Sequence, residues 1–183
     1  GATLTDALNG EQYTVACDHI VYAAGPWIDT LPEAPGDGQL LRPTKGVHIV
    51  VSQHRLQVDH AVVMNGLRDG RVVFALPWNG STYIGTTDTD FDGSPDTLCA
   101  SADDVAYLLE TVNHFFPDAN VGPRDVLSTW AGLRPLVRSH SATAYKTSRE
   151  HRLFSDSRGI TTIAGGKLTT YRKMSGEVVD TVV

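Results

Sequence analysis

Cysteine is scarce in this 183-residue chain: Cys17 and Cys99 are the only two, far apart and without metal-type spacing. No disulfide framework or zinc site can be assembled from them, a reducing compartment is the default, and both are expected as packed thiols rather than reactive groups. No apolar run approaches the ~20 residues that span a bilayer, and Gly1 to Thr5 shows no basic segment leading into an apolar one. Any membrane contact would therefore be peripheral. A cluster of positive charge is also missing. Fifteen Lys and Arg against 21 Asp and Glu give a net charge of −6, with the cations scattered, so there is no stripe to neutralise the phosphates of a nucleic acid. His19, His48, His54, His60, His114, His140 and His151 share no spacing, which leaves neither a metal set nor a Ser-His-Asp arrangement. The chain opens on Gly1, not methionine, inside what reads as a strand, and a missing N-terminal segment is expected.

What is present suits a folded α/β chain: 41% hydrophobic residues over this length can bury one sizeable core or two small ones. Thr3 to Ala7 and Tyr13 to Ala16 alternate around Asn9-Gly10, which predicts a tight hairpin with positive φ at both central positions. A short β-rich run, His19 to Ala24, stops at Gly25-Pro26, followed by a helical turn over Trp27 to Leu31. The Pro/Gly-rich stretch Pro32 to Gly38 marks a boundary between structural units. Strands are predicted at His48 to Val51, Ala61 to Met64, Arg71 to Pro77 and Ser81 to Thr86, separated by turns such as Arg68-Asp69-Gly70 and Asn79-Gly80, as in an antiparallel sheet. Ser101 with Asp103 and Asp104 starts a helix whose apolar positions, Val105, Leu108, Leu109, Val112, Phe115 and Phe116, recur at helical spacing before Pro117. Further strands are predicted at Val126 to Gly132, Leu153 to Asp156 and Ile160 to Ala164, then a helix from Thr169 to Val183.

Three segments carry chemistry. Ile160 to Arg172 combines a β-rich run, the pair Gly165-Gly166, Lys167, and a hydroxyl-rich helix start. Paired glycines let a backbone approach a flat ligand, and the free N–H groups of a helix start favour an anion in front of them. Lys167, partly buried, would add a full charge there; an ordinary glycine-rich αβ connection with a surface lysine is the alternative. In Trp130-Ala131-Gly132-Leu133-Arg134-Pro135-Leu136 an arginine directly follows a predicted strand, where its planar fork can hold a carboxylate or phosphate. Arg134 could equally cap a carbonyl or pair with an acid such as Asp125, and Trp130 reads as core. Finally, Leu41 to Val51 sets a basic, glycine-containing turn before an apolar strand, with His48 at the strand's start, where it could act as a base near neutral pH.

Taken in order, Ala23-Ala24-Gly25-Pro26-Trp27, Arg42-Pro43-Thr44-Lys45-Gly46-Val47-His48, Phe74-Ala75-Leu76-Pro77-Trp78, Ile84-Gly85-Thr86-Thr87-Asp88-Thr89, Trp130 to Leu136 and Gly165 to Arg172 resemble the FAD-dependent glycerol-3-phosphate dehydrogenase family. The resemblance covers essentially the whole chain. It implies a mixed α/β fold of the D-amino-acid-oxidase class: residues 1–36 as the end of a first stretch of a Rossmann-type FAD domain, 37–149 as a substrate-binding cap domain with an antiparallel or mixed sheet, and 150–183 as the final strand and helix of the FAD domain. The Gly-x-Gly-x-x-Gly fingerprint and its acidic ribose ligand are not in this sequence, nor is the helical C-terminal domain of longer members. The implied chemistry is oxidation of sn-glycerol 3-phosphate to dihydroxyacetone phosphate by hydride transfer to flavin N5, with electrons passed to a quinone. His48, Arg134 and Lys167 match the family's catalytic positions; Arg134, Lys167 and the less distinctive Arg152 would bind the substrate. Gly25, Gly165, Gly166, Leu168, Thr169 and Thr170 would contact FAD. The same resemblance implies a cytoplasmic protein, peripheral on the inner face of the cell membrane, and a homodimer. Two competitors stand beside this reading: an amine or amino-acid oxidase of the same fold, with Arg134 on a carboxylate, and a non-catalytic module that keeps the cap fold without the flavin.

Overall fold

The computed structural model describes residues 1–32, 34–35, 39–138 and 149–183. These form two compact units, Gly1–Arg42 with Pro135–Val183, and Pro43–Arg134. The expected boundary between residues 36 and 37 lies outside the described residues, as does part of the Pro32 to Gly38 connection.

The first unit carries a hairpin and a three-stranded sheet. Strands β1 (Ala2–Thr5) and β2 (Gln12–Val15) pair antiparallel. Their connection is wider than the tight turn expected at Asn9-Gly10: Asp6 and Glu11 close the loop, the Asn9 carboxamide accepts from the Glu11 N–H, and only Gly10 takes a positive φ. In the sheet, β11 (Ile160–Ala164) lies between β10 (Arg152–Ser155), antiparallel to it, and β3 (Ile20–Tyr22), parallel to it. A 3-10 turn over Gly25–Thr30 follows β3, and helix α2 (Tyr171–Val182) follows a 3-10 turn at Leu168–Thr170. Ile28, Leu40, Leu41, Val137 and Ala164 form this unit's core.

The second unit is built on a six-stranded sheet ordered β5 (Val62–Asn65), β6 (Val72–Trp78), β7 (Ser81–Gly85), β4 (Leu41–Ser52) and β8 (Thr89–Asp90), with β9 (Val126–Val137) also pairing β4. The β6–β7 turn is the two-residue hairpin that Asn79-Gly80 predicts, with φ of 47° and 74°. Helix α1 (Ala102–Phe115) starts on a capping box: the Ser101 hydroxyl accepts from the Asp104 N–H and the Asp104 carboxylate accepts from the Ser101 N–H. The buried Asp104 also pairs with Lys45 at 2.5 Å, which ties α1 to β4. Alternation then sorts the sheet's faces. Ile49, Val51, Met64, Val73, Ala75 and Ile84 point inward against Leu108, Leu109 and Val112 of α1, while Val63, Phe74, Leu76 and Trp78 stand exposed on the other face.

Four expectations need correction. The basic turn read at Leu41 to Val47 is strand: β4 runs unbroken for 12 residues because Leu41, Thr44, Val47, Ile49 and Val51 are all buried and both neighbours supply hydrogen bonds. His48 is therefore inside a strand, not at its start. Arg134 is likewise inside β9, which continues to Val137, not beyond a strand ending at Gly132. Of the two expected packed thiols, Cys99 is exposed.

Candidate active site

His48 and Arg134 meet in one pocket of the second unit, lined also by Gly46, Thr86, Trp130, Ala131, Gly132 and Leu133. Strand register places the histidine. Across the outer face, Val63 opposes Phe74, Phe74 opposes Gly85 and Gly85 opposes His48, so the histidine ends a row of otherwise apolar positions. Gly46, two residues earlier on β4, shares that face. The His48 ring meets the Trp130 edge at 5.1 Å between centroids, and Trp130 meets Tyr83 at 5.5 Å. Trp130 is thus 53% exposed on the pocket wall and not the core residue the sequence suggests. Half-burial, and secondarily the charge of Arg134, lower the His48 pKa from its ordinary 6.5. The imidazole is held neutral near pH 7, the form that accepts a proton.

The Arg134 guanidinium is fixed by three acceptors: the Asp88 carboxylate at 3.1 Å, the Thr86 hydroxyl at 3.2 Å and the Thr87 carbonyl at 3.2 Å. Asp88 is buried. Arg134 thus pairs with an acid and caps a carbonyl, as the structural alternative for it held, although the acid is Asp88 and Asp125 pairs with Arg55. Arg134 is consequently a cation with a fixed orientation on the wall that also carries His48. Thr86, Thr87 and Asp88 lay within a quoted motif, yet nothing in that string showed that they would orient an arginine 46 residues further on.

The other named residues lie in the first unit. Parallel β3 and β11 are in register at Tyr22 and Thr162, and Gly25 and Gly165 each follow three residues later, beyond the carboxyl ends of the two strands. Gly25, Gly165 and Gly166 have φ of +55°, +79° and +83°, a conformation that a side chain resists. A Cβ on Gly165 would lie 2.6 Å from the Glu150 carbonyl oxygen, and one on Gly166 2.5 Å from the Met174 thioether; in front of Gly25 the space is open. Two glycine turns beyond adjacent parallel strands form the edge at which open α/β sheets take flat or nucleotide ligands. These residues thus fit the flavin that the sequence resemblance implies.

Leu168, Thr169 and Thr170 are exposed, and the Thr170 hydroxyl donates to the Lys167 carbonyl oxygen, which closes the turn ahead of α2. Lys167 is exposed, not partly buried as expected, and lines a pocket with Arg149, Glu150, His151, Thr170, Lys173 and Glu177. His151 bonds Glu177 at 2.6 Å across that pocket. Arg152 stands exposed on β10 opposite Ala164; the cations that line the pocket with Lys167 are Arg149, three residues earlier, and Lys173, neither of which the motifs singled out.

The family model described as FAD dependent oxidoreductase matches residues 1–172. An aerobic glycerol-3-phosphate dehydrogenase of Staphylococcus aureus (strain MRSA252) is 39% identical over 184 residues, covering 100% of this chain and 33% of its own length. The glycerol-3-phosphate dehydrogenase from Bacillus halodurans, solved complexed with FAD, matches with a TM-score of 0.83 and 39% identity over 98% of this chain and 34% of its own. An L-alpha-glycerophosphate oxidase from Mycoplasma pneumoniae, with FAD bound, shares the fold at a TM-score of 0.64 and 21% identity, covering 90% of this chain and 42% of its own. The chain thus spans about one third of the curated relatives it matches. Among the described residues, no helix is long and apolar enough to cross a membrane.

Proposed function

This chain belongs to the FAD-dependent oxidoreductase family, and from that premise we propose that it forms the substrate-facing part of an enzyme that oxidises sn-glycerol 3-phosphate to dihydroxyacetone phosphate. The observation that carries this reading is the pairing, on one pocket wall, of a neutral, half-buried His48 with an Arg134 locked by Asp88, Thr86 and the Thr87 carbonyl. Oxidation of a secondary alcohol needs a group to take the hydroxyl proton and a cation to hold the anionic substrate in place. His48 takes the proton at an imidazole nitrogen. Arg134 with Lys167, aided by Arg152, binds the phosphate or the C2 oxygen.

FAD, when bound, supplies the hydride acceptor at N5 and the route by which the two electrons reach a quinone. Gly25, Gly165 and Gly166, with the backbone of Leu168, Thr169 and Thr170, would hold it. On this reading the first unit belongs to the FAD domain and the second to the substrate cap. Location at the inner face of the cell membrane and a homodimeric state are part of the same proposal, resting on the similarity to the aerobic dehydrogenases.

A turnover screen with glycerol 3-phosphate beside glycine and sarcosine tests the substrate. Reduction by glycerol 3-phosphate alone is expected. Turnover of an amino acid in its place would assign Arg134 to a carboxylate and make the chain part of an amine or amino-acid oxidase.

A further inference from the structure

Gly46 and Gly85 are buried glycines in the middle and at the end of strands β4 and β7, and neither has a positive φ. Their φ angles therefore give no reason for glycine at either place, and glycine weakens a strand. What distinguishes them is what a Cβ would meet. At Gly46 it would fall 2.5, 2.7 and 2.8 Å from Nη2, Nη1 and Cζ of Arg134, and at Gly85 2.2, 2.6 and 2.8 Å from Cδ2, Cγ and Nε2 of His48. In each case the three nearest atoms are the functional head of one pocket residue.

We infer that Gly46 and Gly85 are positioning residues of this pocket, each withholding a side chain so that the Arg134 guanidinium and the His48 imidazole can lie flat on the outer face of the sheet. The inference rests on the proposed function for the meaning of the pocket but not for its geometry. With a methyl group at position 46, the guanidinium, at the end of a flexible chain, swings away from Asp88 and Thr86 while the strand stays paired. A methyl at position 85 tilts the imidazole off the strand and out of its edge contact with Trp130. Both changes keep every charge and every donor in the protein and move only the place where they are presented. This distinguishes the two glycines from the residues they seat.

Gly46→Ala and Gly85→Ala test this singly, and again in Arg134→Ala and His48→Ala backgrounds respectively, as double-mutant cycles. The readouts are the thermal midpoint, the Nε–Hε resonance of Arg134, the imidazole Cε1–Hε1 resonance of His48, and affinity for glycerol 3-phosphate. The expected result is a midpoint within about 5 °C of the parent, a shifted Arg134 or His48 resonance, and, for Gly46→Ala, affinity weakened about tenfold or more, the scale of a lost charge-assisted hydrogen bond. In the backgrounds that lack the seated side chain, the same alanines are expected to cost little further. An alanine variant that folds and keeps the parent's Arg134 and His48 resonances overturns the inference. So does a variant that costs the same midpoint, or fails to fold, whether or not the seated side chain is present. A parent that binds no glycerol 3-phosphate overturns the proposed substrate instead, and the resonances and midpoints still decide the role of the glycines.

Discussion

The two units of this chain carry functional residues in opposite ways. In the second unit the chemistry is in side chains: His48 and Arg134 project from strand interiors, are partly buried, and are held by Trp130, Asp88, Thr86 and Thr87. In the first unit it lies in the backbone. Gly25, Gly165 and Gly166 adopt conformations that need glycine, beyond the ends of two parallel strands, while Lys167, Leu168, Thr169 and Thr170 are exposed around them. The glycines differ accordingly. Gly25, Gly165 and Gly166 are required by φ, whereas Gly46 and Gly85 are required by the side chains laid over them. Substitutions should therefore injure the second unit through charge and orientation and the first through backbone strain.

Arg134→Ala should have the largest effect. It removes the anion anchor and one charged partner of the buried Asp88, so kcat/KM for glycerol 3-phosphate is expected to fall on the order of 100-fold, together with a lower thermal midpoint. Adding Asp88→Asn should recover much of the midpoint and none of the activity. Recovery of both would show that Arg134 serves the fold alone. Lysine at 134 is expected to rescue poorly, since a point charge cannot meet three acceptors set for a planar fork.

Gly165→Ala comes next. It forces a side chain into φ +79° and against the Glu150 carbonyl oxygen, which as backbone cannot swing aside. The strain amounts to roughly 1–2 kcal/mol before the clash is added, and loss of retained FAD is expected, measured by the flavin absorbance after removal of free cofactor. Full retention would show that this turn does not meet the ring.

A smaller effect is expected in the pH profile. Since burial and Arg134 lower the His48 pKa, protonation abolishes its proton-accepting form only on the acid side of 6.5, and the acid limb of kcat/KM should lie there. Arg134→Gln removes the secondary cause and should move the limb to higher pH, part of the way back, because burial remains. A limb that stays in place would separate His48 from the proton transfer. The smallest effect belongs to Gly176→Ala, within α2, where a Cβ meets nothing within 4 Å. Alanine is the better helix former by up to about 1 kcal/mol, so a raised midpoint with unchanged FAD retention is expected.

The same contrast governs how much could be read from the sequence. Strands β5, β6 and β7 and helix α1 were legible because alternation and 3.6-residue spacing are local, and the Asn79-Gly80 hairpin formed as read. Asn9-Gly10 opened into a wider loop even though the dipeptide is the same, since only Gly10 takes a positive φ there and the strands it joins are exposed. Pro43, Lys45 and Gly46 read as a turn because Pro and Gly usually punctuate structure; they lie in strand because β4 is gripped from both sides. The pairing of β3 with β11 joins residues 140 apart, and no periodicity could reveal it. Trp130 differs from expectation for a related reason: an aromatic in a strand is ordinarily core, and only its exposure beside His48 shows that its face is the open one.

The central claim, that this chain presents a glycerol 3-phosphate site to a flavin, is tested most directly by the absorbance spectrum of the purified protein, with FAD added, unbound cofactor removed, and glycerol 3-phosphate then supplied without oxygen. The account predicts a retained flavin absorbance that bleaches on addition of glycerol 3-phosphate and not of glycine or sarcosine. A retained band that glycerol 3-phosphate leaves oxidised would contradict it.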